Sequence, residues 1–178
     1  MSNSCSTEPS SMEQDQTGIP EGFLPLFRTS PSLDTLGPLF YRPIGPGFII
    51  GRRVAEKHGN ARGTAHGGFL VTLADIALGY TAAASGDPLL KLTTINISAD
   101  FAGHARVGDW LEAQVDIQKI GRPFAFANAF LRVGSKSTAR VSAVFARNSA
   151  QDGLNRAETR HQQRAILPPK HGDDTCRF

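Results

Sequence analysis

Cysteine is almost missing from this chain: Cys5 and Cys176 are the only two, near opposite ends of 178 residues. That spacing builds neither a disulfide framework nor a cysteine-based metal motif, and it fits a reducing compartment. Excess charge is scarce too. Nineteen Lys and Arg stand against 16 Asp and Glu, a net +3, which is too balanced for a nucleic-acid-binding surface and leaves a mild bias towards small anions. No apolar run is read as reaching membrane-spanning length, and Met1 to Gln16 is Ser-rich and acidic with no apolar leader segment. No membrane association, no export and a cytoplasmic location are therefore expected. What remains, 40% hydrophobic and 20% charged, is the composition of about one globular domain.

Residues 1–18 lack apolar periodicity and are expected to form a disordered tail. Residues 19–46 turn apolar and read as an ordered lead-in. Ser30-Pro31 offers an N-cap followed by proline at the first helical position, so a short helix is expected at about Ser32 to Leu36. Phe23 and Phe27 of this lead-in pack, or close over a substrate channel. Gly45-Pro46-Gly47 breaks the chain before a domain at 47–147 that starts with a strand at about Phe48 to Glu56. Strand-like runs follow at Lys91 to Phe101, Trp110 to Ile120, Pro123 to Val133 and Ser137 to Arg147, with glycine-containing turns between the last three. Short links between consecutive strands point to an antiparallel meander. Residues 148–178 are a polar C-terminal tail, helical at most near Ala157 to Ala165.

Between the first strand and the rest lies the stretch on which everything turns. From Phe69 onward, Leu70, Leu73, Ile76, Ala77, Tyr80 and Ala84 share one helical face, while Val71, Leu78, Ala82 and Ala83 make the opposite side apolar as well. Such a helix is buried. One long helix and about five to six antiparallel strands give an α+β domain in which the sheet wraps the helix. Asp75 is the only Asp, Glu, Lys or Arg between Arg62 and Asp87. A lone carboxylate there is either paired in the core or stands at a cleft where its charge is wanted. Just before the helix, Gly67 and Gly68 leave the first backbone N–H groups without intrahelical acceptors and without a Cβ in the way, which suits a developing negative charge.

The order strand, Asn60-x5-His66-Gly67-Gly68, helix with Asp75, then strands with Thr94 and Gly108-Asp109, resembles the hotdog-fold acyl-CoA thioesterases, most nearly the phenylacetate-degradation type and its mammalian relatives. The resemblance covers about Gly47 to Arg147. It implies that the Gly67 N–H polarises the thioester carbonyl, that Asn60 and His66 organise the oxyanion end, and that Asp75 is nucleophile or general base. It also implies that Thr94 holds that carboxylate or the water. Gly68, Arg62, Arg122 and Phe69 are the candidate substrate-binding residues, with Phe69, Leu73 and Phe124 candidates for the acyl pocket. No cofactor and no metal are expected. Many relatives carry a proline soon after the residue matching Phe101; here Ala102-Gly103-His104-Ala105 follows.

Spacing adds an independent expectation. Asp75 lies eight residues beyond Gly67, roughly 12 Å along a helix, whereas groups acting on one carbonyl come within about 3 Å of their targets. Two such helices, antiparallel across a two-fold axis, would bring Gly67 of one chain beside Asp75 of the other, so a homodimer or dimer of dimers is expected. The alternatives are a non-catalytic acyl-CoA-binding hotdog protein, which would lack need of Asp75, and a hotdog hydratase or dehydratase, whose His-and-acid motif is missing. Cations for the phosphates of coenzyme A are sought at Arg62, Arg106, Arg122 and Lys136.

Overall fold

A computed structural model of the protein describes residues 18–45 and 47–147. The tail expected over 1–18, save Gly18, the polar C-terminal segment and both cysteines lie outside the described residues. Alternating runs fold as strands and the stretch that is apolar on every side folds as a helix. In chain order these are β1 (Leu24–Pro25), α1 (Pro31–Leu36), β2 (Phe40–Ile44), β3 (Gly47–Arg53), α2 (Gly67–Ala84), β4 (Leu92–Phe101), β5 (Trp110–Ile120), β6 (Phe124–Val133) and β7 (Lys136–Arg147), with a 3₁₀ turn at Glu56–His58. Ser30 caps α1 by accepting the Leu33 N–H at 3.3 Å, and Pro31 opens the helix.

The strands form one antiparallel sheet in the order β1-β2-β3-β5-β6-β7-β4. The sheet departs from the expected meander in two ways. The strands after the helix are not a simple meander: β4 pairs with β7, not β5, and so becomes the edge of the sheet. The lead-in is also more than a helix with packing residues, since β1 and β2 extend the sheet beyond β3 and bring the described strands to seven.

Helix α2 lies on the inner face of this sheet, burying Phe69, Leu70, Leu73, Ala74, Ala77, Leu78, Thr81 and Ala82. The sheet accepts it closely because its facing positions are small. β6 turns Ala125, Ala127 and Ala129 inward and Phe124 and Phe126 outward, while Leu111, Leu131, Val141 and Phe145 fill the gaps. Each fully buried Leu in that layer contributes about 2–3 kcal/mol. The opposite side of α2, with Val71, Asp75, Ile76, Gly79 and Tyr80, is only partly covered. By length and composition alone α2 could cross a membrane, with 18 residues of mean hydropathy 1.4, contrary to the expectation that no run approaches that length.

Candidate active site

The loop before α2 is built on its own side chains. Gly59 and Ala65 face each other across a small hairpin whose turn is closed by Gly63 N–H to Asn60 C=O at 3.0 Å. The Asn60 carboxamide stays inside it: Oδ1 accepts the Arg62 N–H at 2.9 Å and Nδ2 donates to Thr64 Oγ1 at 3.0 Å. His66 is the N-cap of α2, its Nδ1 accepting the Gly68 N–H at 3.0 Å. Among the described residues the Gly67 N–H has no acceptor. A Cβ on Gly67 would come within 3.1 Å of the Phe101 ring, which stands over the helix start and is itself 55% exposed.

Beneath this loop lies His58, a residue with no assigned structural role in the sequence reading. It is buried, its Nδ1 accepts the Ala55 N–H and its Nε2 donates to the Leu36 carbonyl, both at 2.9 Å. Its ring stacks on Phe69 at 4.1 Å. His58 thus ties the lead-in, the loop and the helix start together. Phe69 is consumed by that stack, 7% exposed and turned to the sheet, rather than facing a pocket.

Two turns further along α2, Asp75 Oδ1 accepts the Thr94 hydroxyl at 2.9 Å. A bulge makes this contact. Phe101, Ala99 and Ile97 pair with Ala139, Val141 and Ala143 on the inner face of β7, and strict alternation would next turn Ile95 inward. The irregularity between Thr94 and Asn96 inserts one residue, so Thr94 pairs with the inward Phe145 and faces α2, while Ile95 is left 53% exposed.

Asp75 and Thr94 open into a cleft of about 630 Å³ with Phe27, Leu33, Ile76, Tyr80, Leu90 and Phe145 as its apolar lining and Arg28 and Lys91 as cations. Phe27, from the lead-in, meets Tyr41 and Phe48 edge-on with ring centroids 5.2 and 5.7 Å apart and tilts over Tyr80. Burial raises the Tyr80 phenol above its ordinary pKa, with Arg28 opposing the shift, so the hydroxyl stays neutral at physiological pH. Leu73 and Phe124 do not line this cleft: Leu73 is in the core and Phe124 is on the outer sheet face. Phe23 packs elsewhere, against Trp110 and Phe40.

The nine residues singled out from sequence therefore fall into three places. Asn60, Arg62, His66, Gly67, Gly68 and Phe69 gather at the start of α2; Asp75 and Thr94 meet midway along it. Arg122 lies at the end of the sheet where Phe124 pairs with Ala146 and Leu92 with Arg147, opposite to the end where Phe101 reaches Gly67. The cleft-lining Leu33, Leu90 and Lys91 were missed, for nothing in their local patterns separates them from ordinary packing and surface residues.

A family model described as Thioesterase superfamily matches residues 62–139. Over 128 residues the chain is 49% identical to a candidate esterase of Pseudomonas aeruginosa, covering 71% of this chain and 96% of that protein. A mutant of the phenylacetic acid degradation protein PaaI of Thermus thermophilus superposes with a TM-score of 0.60 at 25% identity, over 67% of this chain and 100% of that one. The smu.793 protein of Streptococcus mutans, solved with acetyl CoA bound, shares the fold at a TM-score of 0.57 and 20% identity, over 62% of this chain and 88% of that one.

Proposed function

This chain belongs to the thioesterase superfamily, and from that premise we propose that it hydrolyses acyl-coenzyme A thioesters to the free acid and coenzyme A at the Asp75 cleft. The observation that carries the reading is the Asp75 carboxylate held by Thr94 at 2.9 Å on the wall of an otherwise largely apolar cleft. A carboxylate so placed takes a proton from water as the oxygen attacks the carbonyl carbon, or attacks that carbon itself to give, once the thiolate leaves, a mixed anhydride that water cleaves to the free acid and the restored carboxylate. The carbonyl oxygen becomes an oxyanion, for which the unpartnered Gly67 N–H at a helix N-terminus is a suitable donor. His66 fixes the neighbouring amide and Asn60 fixes the loop, so both act by positioning. The C–S bond then breaks. A thiol has a pKa of about 8.5, so the thiolate leaves without a general acid. One carboxylate and one amide thus suffice for a thioester, where an alkoxide would ask for more.

The two groups act on one thioester from different chains. Strand β4 carries a marker of each: Thr94 bonds Asp75 and Phe101 covers Gly67. β4 is also the long, exposed edge of the sheet, with backbone groups open to another strand. Antiparallel pairing of β4 with its own copy requires one residue to face itself on the two-fold axis. With Ile97 or Ser98 there, Thr94 of one chain falls within a residue of the partner's Phe101, and Asp75 comes alongside the partner's Gly67. The outward Phe124 and Phe126 of β6 supply an apolar face for a dimer of dimers.

The cleft fits an apolar acyl group, aliphatic or aromatic. A panel of aryl-, short-, medium- and long-chain acyl-CoAs, with released thiol read by a reactive dye, tests the proposal. Turnover of at least one class with saturation is expected; no thiol release from any of them contradicts it.

A further inference from the structure

We propose that the hollow of about 440 Å³ bounded by Arg62, Gly63, Thr64, His104 and Arg106 binds the phosphate groups of the coenzyme A carrier, an assignment that rests on the acyl-CoA reading above. Two loops distant in sequence are clamped to make it. Ala65 N–H donates to Ala105 C=O at 2.7 Å, Thr64 bridges Arg106, and Val107 N–H donates to Gly63 C=O at 3.3 Å, so Arg106 lies opposite Thr64 and both it and Arg62, two residues before Thr64, line the same hollow. His104 comes from the turn that leaves β4. There, Ala102 and Gly103 N–H both donate to Thr138 C=O at 3.0 Å, and a Cβ on Gly103 would lie 2.6 Å from the Ser137 carbonyl oxygen. Glycine lets the chain pass that close to β7 and present His104 to the hollow.

The charges around the hollow are uncompensated. Among the described residues no carboxylate pairs with Arg62, His104 or Arg106; the nearby Asp109 instead accepts the Arg106 backbone N–H at 2.7 Å. Two arginines and a histidine lining one concave surface make a receptor for phosphate oxygens, for which the arginine fork is the matched donor. The hollow opens on the hairpin that feeds Gly67, three residues after Thr64, so a thiol arm can run from it to the reacting carbonyl. Of the cations sought for coenzyme A, the hollow draws on Arg62 and Arg106, and it adds His104.

The test uses the whole protein and needs no turnover. Titration calorimetry with adenosine 3′,5′-bisphosphate, and separately with inorganic phosphate, is run on the wild type, Arg62→Gln, Arg106→Gln and the double variant. Arg140→Gln, paired with Asp100 on the sheet, is the matched control for lost charge. Each hollow variant should bind the bisphosphate about tenfold more weakly and the double variant about a hundredfold, with wild-type binding falling as salt rises. The control should stay within about twofold of the wild type. In kinetics, the preference for acyl-CoA over the matching acyl-pantetheine should fall by similar factors. Unchanged binding and unchanged preference in the double variant overturn the assignment even if thioesters are hydrolysed. Equal affinity for inorganic phosphate and the bisphosphate also overturns it. If the bisphosphate binds and the variants lose it while no thioester is cleaved, the hollow stands and the thioesterase reading falls.

Discussion

Replacing Asp75 by Asn changes the charge of one group and little else. The Asn side-chain oxygen can still accept the Thr94 hydroxyl that Asp75 Oδ1 accepts at 2.9 Å, the volume is the same, and the site is half-covered rather than sealed in the core. Stability should therefore shift by less than about 1 kcal/mol. The amide cannot take a proton from water or form an acyl intermediate, so kcat should drop by roughly 10²- to 10⁴-fold, or about 2.7–5.4 kcal/mol of barrier. KM should move little, since the apolar walls of the cleft are untouched. The assay is thiol release at saturating acyl-CoA, with circular dichroism and sedimentation on the same sample to establish that fold and assembly persist. A well-folded Asp75→Asn protein with kcat within about tenfold of the wild type would refute the role of this carboxylate.

Thr94→Val removes the only hydrogen bond given to Asp75 among the described residues and should lower kcat about tenfold, with Thr94→Ser restoring most of it; equal rates for Val and Ser variants count against a positioning hydroxyl. His58→Ala breaks two buried hydrogen bonds and the Phe69 stack, so Tm should fall by roughly 5–10 °C; a melt within about 2 °C of the wild type removes His58 from the loop's support. Phe27→Ala enlarges the cleft at its lead-in wall and should move the kcat/KM ratio towards bulkier acyl groups by roughly five- to tenfold, an effect that an unchanged ratio across the acyl-CoA panel would rule out.

Most of the domain was legible because its signals are local. Period-two alternation located Trp110–Ile120 without error and the other long strands to within three residues, and the all-apolar stretch located α2. What needed long-range pairing was not legible. The move of β4 to the sheet edge depends on β5 to β7 being laid down between it and β3, and β2 was hidden by Pro43 and by the proline-rich surroundings of Phe40–Ile44. An all-apolar helix also has no phase in its sequence, so nothing local announced that Phe69 and Leu73 face the sheet while Asp75 faces the cleft. Thr93 and Thr94 could not be told apart either, until the bulge at Ile95 set which one turns inward. The place of Arg122 was hidden for the same reason: a tight turn is visible in sequence, but which end of the sheet it occupies is not.

The central claim, that Asp75 and Gly67 act on one thioester from different chains, is tested most directly by mixing two dead proteins. Asp75→Asn lacks the carboxylate, and Gly67→Val drives a side chain into the Phe101 ring over the helix start. In a mixed dimer one composite site receives both damaged residues and the other receives neither. Random exchange makes about half of the dimers mixed, each with one intact site of two, so about a quarter of wild-type activity should return after the variants are refolded together. If mass spectrometry establishes that the subunits have exchanged and no activity returns, each site belongs to a single chain and the pairing through β4 is wrong.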